Sequence, residues 1–197
     1  MTTVNNFING AFTPPSSGNY LPINNPATNS TLGKVALSTA PDVASAVSAA
    51  SAAFPGWSSL TSKSRASVML KFHGLVRDNA DSLADLIVTE NGKNKSEALA
   101  DVAKGNETVE YACSLPSLSQ GKTLPVSSNI TCHDRRSPLG VVASIVPFNF
   151  PFMVPMWTVP IAMVLGNCVV LKPSEKVRGA GTEREGFRER FPFRCDE

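Results

Sequence analysis

Two short apolar runs in the last third of the chain constrain its fold more than any other feature. Residues 141–146 have the sequence VVASIV, and residues 168–171 have the sequence CVVL. Such β-branched runs are typical of strands in a parallel sheet that is buried on both faces. The segment 152–165 between them has the length of a crossover helix, and Gly166 with Asn167 can end it. We therefore predict a βαβ unit with a right-handed crossover.

A polar motif follows each of these predicted strands. The sequence PFNFP occupies 147–151, and LKPSE occupies 171–175. Because parallel strands end on the same edge of a sheet, where ligands bind in such folds, we expect Asn149, Lys172 and Glu175 to be neighbours. An asparagine amide beside a helix N-terminus can stabilise an oxyanion, typically by about 3 kcal/mol in a transition state. Lys172 and Glu175 suit the hydroxyls of a polyol such as a nucleotide ribose.

Each of these residues also has a simpler explanation. Asn149 could be a turn or cap residue, and Lys172 with Glu175 could belong to a solvated loop. Taken singly, these simpler explanations are preferable, but the three residues at this spacing together favour a cofactor-binding site. The usual phosphate-cradling loops are absent, because neither the G-x-G-x-x-G nor the G-x-x-x-x-G-K-[ST] pattern occurs.

The N-terminal part is predicted to combine a short β segment with a helical layer. Asn9-Gly10 between apolar residues predicts a hairpin over 7–12, and 20–24 and 32–36 are predicted strands. Helical periodicity covers 41–54, 62–79, 80–90 and 96–113, with Pro55-Gly56 ending the first helix and Ser96 capping the last. Polar turns separate two further strands, 123–126 and 130–135. We expect the apolar stripes to form the core; in the first helix these are Val43, Ala46, Val47, Ala50 and Phe54.

Composition excludes several classes of function. The net charge of +2 and the lack of a basic run interleaved with aromatic residues argue against nucleic-acid binding. We predict no membrane span, because the longest apolar segment, 150–165, is too short and contains three prolines. No secretory signal or transit peptide is visible at the N-terminus. The four cysteines form no CxxC pair and only two histidines are present, so we predict no metal site.

The motifs together resemble those of the aldehyde dehydrogenase superfamily, most closely its CoA-acylating methylmalonate-semialdehyde dehydrogenase branch. The resemblance is carried by SPLGVV at 137–142, PFNFP, Met156-Trp157, Gly166-Asn167 and KPSEK at 172–176. It is supported by FING at 7–10, NPAT at 25–28 and TENGK at 89–93, and it covers roughly residues 4–177. It implies an α/β fold: an incomplete Rossmann-like parallel sheet with a helical layer and a short β extension.

The resemblance also implies roles for individual residues. Asn149 would be the oxyanion-hole amide. Lys172 and Glu175 would bind the adenosine ribose of NAD, and a glutamate at this position favours NAD over NADP because it repels a 2′-phosphate. The nicotinamide-side pocket would be lined, largely through backbone, by Ile145, Val146, Pro147 and Phe148. Lys104 stands where this branch is expected to have an arginine for the substrate carboxylate; lysine keeps the charge but loses bidentate geometry.

The resemblance implies a division of the chain into four regions. Residues 1–115 form the β and helical part of the cofactor domain, 116–137 the bridging and oligomerisation strands, and 138–177 the βαβ part. Residues 178–197 depart from the family: they contain no Ile, Leu, Val or Met and five arginines, and we predict a disordered tail of truncated or artefactual origin. The catalytic cysteine and general-base glutamate of the family have no matching segment here, so we expect the chain to be inactive alone.

The implied function is NAD-dependent oxidation of methylmalonate or malonate semialdehyde to an acyl-CoA, with CoA as co-substrate. Two alternatives remain open. The chain could come from another aldehyde dehydrogenase branch, or it could be a non-catalytic fragment that docks on full-length subunits, because the family forms homo-oligomers. The expected partners are a small aldehyde and further subunits. The expected compartment is the mitochondrial matrix in a eukaryote and the cytoplasm in a bacterium.

Overall fold

The structure is a computed structural model that describes residues 2–177. Its β segments are short and its helices carry the core. The strands are β1 (Thr2–Val4), β2 (Asn6–Ile8), β3 (Ala11–Thr13), β4 (Tyr20–Asn24), β5 (Thr31–Ala36), β6 (Thr123–Ser127), β7 (Ile130–His133), β8 (Val141–Ile145) and β9 (Cys168–Lys172). The helices are α1 (Ala40–Ser59), α2 (Ser62–Asp78), α3 (Ala80–Asn91), α4 (Lys95–Leu118), α5 (Met153–Met156) and α6 (Val159–Val164).

The strands form four small sheets. β5 lies between β1 and β4, pairing parallel with β1 and antiparallel with β4, while β2–β3 and β6–β7 are antiparallel hairpins. The β2–β3 turn is the predicted one, because Asn9 and Gly10 both adopt positive φ, 52° and 72°. β8 and β9 pair in parallel with Val141 opposite Cys168, which confirms the predicted parallel pair. The fold is thus α/β, an incomplete Rossmann-like sheet beside a helical layer.

Helix α4 lies at the centre of the core and packs on α2, α3, α5 and α6. Small and apolar side chains recur along its inner face and along those of α2 and α3, so the helices approach closely. In these three helices, the apolar side chains with at most 1% exposure are Met69, Val76, Ala84, Ile87, Ala98, Val102, Val109 and Ala112. The helical layer predicted from periodicity is therefore the main core of the described residues.

Helix α1 differs from its prediction in two ways. It continues through Pro55-Gly56 to Ser59, because the carbonyl of Ser51, which loses its helical donor to the proline, belongs to an exposed residue that water can reach. The indole of Trp57, beyond the predicted stop, is buried and donates to Met163 O at 2.9 Å. The predicted core residues Val43 and Val47 are instead 53% and 43% exposed. The inner face of the helix is shifted toward Ala50, Ala53, Phe54 and Trp57.

Two other boundaries were predicted wrongly. Asn94, not Ser96, caps α4, and its side chain accepts a hydrogen bond from the N–H of Glu97. The predicted single crossover helix over 152–165 is broken into α5 and α6. Pro160 explains the break, because it cannot donate to the carbonyl of Met156 and its ring clashes there, so α5 ends at that residue.

The parallel pair is less buried than its sequence predicted. Ile145 is 79% exposed and Leu171 is 42% exposed. Among residues 2–177 no further strand pairs with β8 or β9, so both outer edges of the pair are open. Buried β-branched strands normally have partners on each side, and we therefore attribute the exposure to the two-stranded width of this sheet. The predicted change of character at Arg178 lies outside the described residues.

The carboxylate of Asp42 joins the β3–β4 loop to the start of α1. It accepts hydrogen bonds from Ser16 N at 2.8 Å and Thr39 N at 2.7 Å, and also from both of their hydroxyls. The two backbone donors lower the pKa of Asp42 from 3.8 to about 2. Because the pKa is lower in the folded chain, this stabilisation is present above the ordinary value and is lost as the pH falls toward 2.

We therefore expect acid to destabilise the Asp42→Asn variant less than the wild-type chain. Thermal unfolding monitored at about pH 5 and about pH 1.5 checks this, because that interval spans the two pKa values. The wild type should lose more stability than the variant across the interval. Equal losses in the two proteins would show that the Asp42 carboxylate does not act as described.

A candidate cofactor and oxyanion site at the edge of the parallel pair

The carboxyl ends of β8 and β9 bring the two polar motifs to one edge of the sheet. Ile145 lies opposite Lys172 in the strand register, and Val146 N donates to Lys172 O at 3.2 Å. The chain after each strand then turns outward. The ammonium of Lys176 lies 4.5 Å from the centroid of the Phe148 ring, so the segments after the two strands touch. Two motifs about twenty residues apart in sequence thus form one surface.

Asn149 lies in the turns between β8 and α5 and is exposed. Its side-chain amide makes no hydrogen bond to any residue of the described part of the chain, 2–177. The residue before it is held in place, because Asn91 Nδ2 donates to Phe148 O at 2.7 Å. A free amide donor on an anchored loop can bind an oxygen atom of a ligand.

The helix N-terminus beside Asn149 was predicted to add positive potential, and this expectation is wrong. α5 has only four residues, and its Met153 N–H donates to the carboxylate of Asp101 at 2.8 Å. That donor is already satisfied and the carboxylate brings a negative charge. Stabilisation of an anion at this edge therefore depends on the Asn149 side chain rather than on a helix dipole.

The four residues predicted to line a nicotinamide-side pocket differ in accessibility. The side chain of Ile145 is 79% exposed, whereas Val146 is 7% exposed and points into the protein. Pro147 is exposed, and Phe148 is 43% exposed with its ring against Lys176. Val146 can therefore face a ligand only through its backbone, whereas the other three also present side-chain surface.

Lys172 and Glu175 form an ion pair with 3.3 Å between Nζ and Oε2. Both side chains are more than half exposed. A hydrogen bond from its own backbone N–H, followed by the contact with Lys172, lowers the pKa of Glu175. Glu175 is therefore an ionised acceptor at neutral pH, suited to hydroxyl donors. A surface ion pair of this kind contributes little to stability. Lys172 and Glu175 can therefore separate, and each can bind a ligand instead.

Lys104 lies on α4 next to the segment that follows Asn149. Its neighbour Gly105 contacts Phe152 so closely that an added Cβ would lie 2.7 Å from the ring. The Lys104 ammonium donates to both carboxylate oxygens of Glu107, at 2.9 and 3.1 Å. A substrate carboxylate bound there would compete with Glu107. Nothing in the described residues brings Lys104 into contact with Asn149, and its predicted role is not tested by this geometry.

The segment between β8 and α5, residues 146–152, is the Asn149 loop. Sequence reasoning missed three residues that hold it in place. Asn91 and Lys93 belong to the TENGK motif at 89–93, which predicted no role for either residue. Asp101 was not identified at all, although its side chain is fully buried. One signal was available, because Asp101 lies three residues after Ala98 and four before Gly105, on the buried face of α4.

None of the three described cysteines lies at the end of β8 or β9 that carries the motifs. Cys168 is at the opposite end of β9, Cys132 is on the β6–β7 hairpin, and Cys113 is on α4. Burial, with a smaller contribution from Glu110, raises the pKa of Cys113 and so disfavours its thiolate. Within residues 2–177, no three His, Cys, Asp or Glu side chains are grouped to hold a metal ion. None of the helices between residues 2 and 177 has the length and apolar character of a membrane span.

Comparison with known proteins gives one consistent result. The model of the aldehyde dehydrogenase family matches residues 12–183. Over 179 residues the chain is 44% identical to the mitochondrial methylmalonate-semialdehyde/malonate-semialdehyde dehydrogenase [acylating] of Rattus norvegicus, covering 90% of this chain and 34% of that protein. It is also 44% identical over 176 residues to malonate-semialdehyde dehydrogenase 1 of Geobacillus kaustophilus, covering 89% of this chain and 36% of the relative.

The same relationship appears in the fold. The crystal structure of a protein assigned as methylmalonate-semialdehyde dehydrogenase from Sinorhizobium meliloti, complexed with NAD, superposes with a TM-score of 0.89 at 37% identity. The match covers 92% of this chain and 37% of that one. The chain thus spans about a third of the length of the curated relatives it matches. With a family model over most of its length and this shared fold, the chain belongs to the aldehyde dehydrogenase family.

Proposed function

We propose that this chain serves the NAD-dependent oxidation of malonate or methylmalonate semialdehyde to an acyl-CoA. The free amide of Asn149 carries the proposal, because it lies on the same sheet edge as the Lys172–Glu175 pair. One surface can therefore hold both a reacting oxygen and a nucleotide. The names of the curated relatives support the substrate class, and CoA as co-substrate follows from the acylating activity that one of these names states.

Asn149 would act on the oxygen of the aldehyde. When a thiolate adds to the carbonyl carbon, negative charge builds on that oxygen, and a hydrogen bond from Nδ2 stabilises it more than it stabilises the neutral substrate. Asn91 keeps the preceding residue in place through Phe148 O, so little reorganisation is needed. This is a contribution to rate rather than to binding.

The residues at the edge fit NAD. The ionised Glu175 can accept hydrogen bonds from the adenosine ribose hydroxyls and Lys172 can donate to them, while the backbone from Val146 to Phe148 offers surface for the nicotinamide side. When bound, NAD would accept hydride from the substrate carbon. The thiolate must come from outside residues 2–177, because no described cysteine lies at this edge. We therefore propose that residues 2–177 do not complete the reaction by themselves.

Lys104 is proposed as the contact for the carboxylate of the semialdehyde. It supplies positive charge on α4, but its present partner Glu107 must release it. A single ammonium also lacks the paired donors of a guanidinium, so binding of the carboxylate should be weaker than with arginine.

Assembly with further subunits is proposed for the β6–β7 hairpin. Every residue of its two strands is exposed, including Leu124, Val126 and Ile130 at 63%, 60% and 59%. Apolar side chains grouped on an exposed ribbon favour contact with another protein surface. The same surface would serve the alternative function, a non-catalytic chain that docks on full-length subunits. We propose the mitochondrial matrix as the compartment in a eukaryote and the cytoplasm in a bacterium.

A chimaeric enzyme tests the proposal directly. Residues 2–177 of this chain replace the matching segment of the Geobacillus kaustophilus relative, which supplies the remaining two-thirds. NADH formation is then measured with malonate semialdehyde, methylmalonate semialdehyde and an unbranched aldehyde, each with and without CoA. We expect CoA-dependent turnover of the two semialdehydes, and none with the 197-residue chain alone. A folded chimaera that oxidises only the unbranched aldehyde, with water as acceptor, would support the other branch.

Cofactor preference should depend on the charge of Glu175. In the chimaera, Glu175→Gln is expected to raise kcat/KM for NADP relative to NAD by about tenfold, because a carboxylate repels a 2′-phosphate by roughly 1.4 kcal/mol. Steady-state kinetics with both cofactors measures the ratio. Glu97→Gln, which removes an exposed carboxylate from the first turn of α4, is the matched control and should leave the ratio unchanged. An unchanged ratio in Glu175→Gln would show that Glu175 does not bind the adenosine ribose.

A further inference from the structure

A buried ion pair lies beneath the loop that carries Asn149. Lys93 Nζ and Asp101 Oδ2 are 2.9 Å apart, and their side chains are 14% and 0% exposed. The second oxygen of Asp101 accepts the N–H of Met153 at 2.8 Å. The Asp101 carboxylate therefore has a cation on one oxygen and, on the other, the backbone N–H at the start of α5, where the loop ends.

Lys93 also contacts the loop directly. Its ammonium lies 3.8 Å from the centroid of the Phe150 ring, within the distance of a cation–π contact. From the same segment of the chain, Asn91 Nδ2 binds the carbonyl of Phe148. The residues on both sides of Asn149 are thus held by the connection between α3 and α4, and Asn149 itself is left free.

Stability alone does not account for this pair. A buried ion pair loses its hydration, and an apolar pair of similar volume generally stabilises a fold at least as well. An ion pair adds a geometric constraint that an apolar contact lacks. The charge-assisted hydrogen bonds of Asp101 require a defined position of Met153 N and of Lys93 Nζ. A hydrogen-bond donor that is displaced from the oxyanion loses much of its effect on the rate. The constraint on the loop is therefore important for Asn149.

We propose that Lys93 is a positioning residue for Asn149, which it acts on through the ring of Phe150 and through Asp101. The proposal rests on the proposed role of Asn149 in oxyanion binding. Lys93 does not touch the substrate; it determines where the amide of Asn149 points. Loss of its charge leaves Asp101 buried without a cation and removes the cation–π contact with Phe150, so that the chain after Asn149 is held less firmly while Asn91 still binds Phe148 O.

Amide exchange in the full 197-residue chain tests the geometric part. With 15N-methionine labelling, only four backbone amide N–H groups are observed, those of Met69 in the core of α2, Met153 at the start of α5, Met156 and Met163. In Lys93→Met we expect Met153 N–H to exchange about tenfold faster, while Met69 N–H stays within about twofold of wild type. Lys93→Arg keeps the charge and the ring contact, and it should restore slow exchange at Met153. In a second sample labelled with 15N-asparagine, the Asn149 side-chain resonance, assigned by its loss in Asn149→Ala, should shift in Lys93→Met only.

Lys95→Met is the matched control, because Lys95 binds Asp85 and Asp81 on the surface and does not contact the loop. It should leave the Met153 and Asn149 signals unchanged. If Lys93→Met does not fold, Asp101→Asn replaces it, since the amide can still accept from Met153 but no longer pairs with the ammonium. Equal acceleration at Met153 and Met69 would show general destabilisation and overturn the proposal. So would unchanged exchange at Met153, or failure of arginine to restore it.

The link to rate is tested in the chimaera. Lys93→Met should lower kcat about tenfold with little change in KM, and should lower it no further in a protein that already carries Asn149→Ala. Additive losses, or an unchanged kcat in an active chimaera with a released loop, would overturn the positioning role. If the chimaera has no activity, the proposed function fails, while the exchange data still decide whether Lys93 holds the loop.

Discussion

Asn149→Ala in the chimaeric enzyme is expected to lower kcat by about 10²–10³-fold, equivalent to roughly 3–4 kcal/mol of transition-state stabilisation. The amide is the only donor we place at the reacting oxygen from this segment, and it binds charge that exists only after the carbonyl carbon is attacked. KM should therefore change little. Steady-state measurement of NADH formation with malonate semialdehyde separates the two constants.

The controls for this variant follow from the position of Asn149. Its amide has no partner within residues 2–177, so its removal should leave thermal stability within about 0.5 kcal/mol of wild type. Asn149→Asp keeps the shape but replaces a donor with a negative charge, and it should lose at least as much activity as alanine. A kcat within threefold of wild type in a folded Asn149→Ala chimaera would contradict the oxyanion role.

Arg65→Met is expected to destabilise the chain itself by about 3–5 kcal/mol, a large part of a typical domain stability. Arg65 Nε donates to Val164 O at 2.9 Å, and Nη1 donates to Ser58 O at 3.2 Å and to Leu60 O. Its guanidinium is buried, which lowers the pKa of Arg65, yet it remains charged at neutral pH. Methionine fills a similar volume but leaves three carbonyls at the ends of α1 and α6 without this donor.

Urea unfolding of the full chain measures this loss, with the midpoint as the readout. Arg77→Met is the matched control on the same helix, because the Arg77 side chain is 71% exposed and binds only the adjacent Asp78 among the described residues. It should shift stability by no more than about 0.5 kcal/mol. Arg65→Lys should be intermediate, since a lysine keeps the charge but cannot reach all three carbonyls. If Arg65→Met and Arg77→Met unfold at the same midpoint, Arg65 does not join the helices as described.

Local chemistry explains which parts of the fold could be predicted. Asn9-Gly10 specifies its turn because both residues tolerate positive φ, and Gly92 ends α3 in the left-handed conformation, φ 81°, for the same reason. The parallel pairing of β8 with β9 follows from two β-branched runs with a helix-length connection. In each case the determining residues are close together in sequence, so no knowledge of distant contacts was needed.

The wrong or missing predictions concern residues whose environment depends on contacts that are distant in sequence. Val43 and Val47 have helical spacing, but no described element covers that face of α1, so periodicity alone misplaced them in the core. Pro55 was predicted to end α1. The helix continues because Trp57 binds Met163 O, which is distant in sequence, and this contact anchors the residues after Pro55. Asp101 was not identified, because its partners Lys93 and Met153 lie 8 and 52 residues away.

The sequence by itself determined the parallel strand pair, the edge on which Asn149, Lys172 and Glu175 lie, and the family resemblance. These depend on strand direction and on short motifs, which local residue order specifies. Only the tertiary structure decided how the Asn149 loop is held. α3 and α4 pack so that Lys93 and Asp101 meet beneath the loop, and the burial that makes this pair directional comes from side chains distant in sequence. The order of residues along the chain does not predict this contact between Lys93 and Asp101, because the contact depends on how the helices pack.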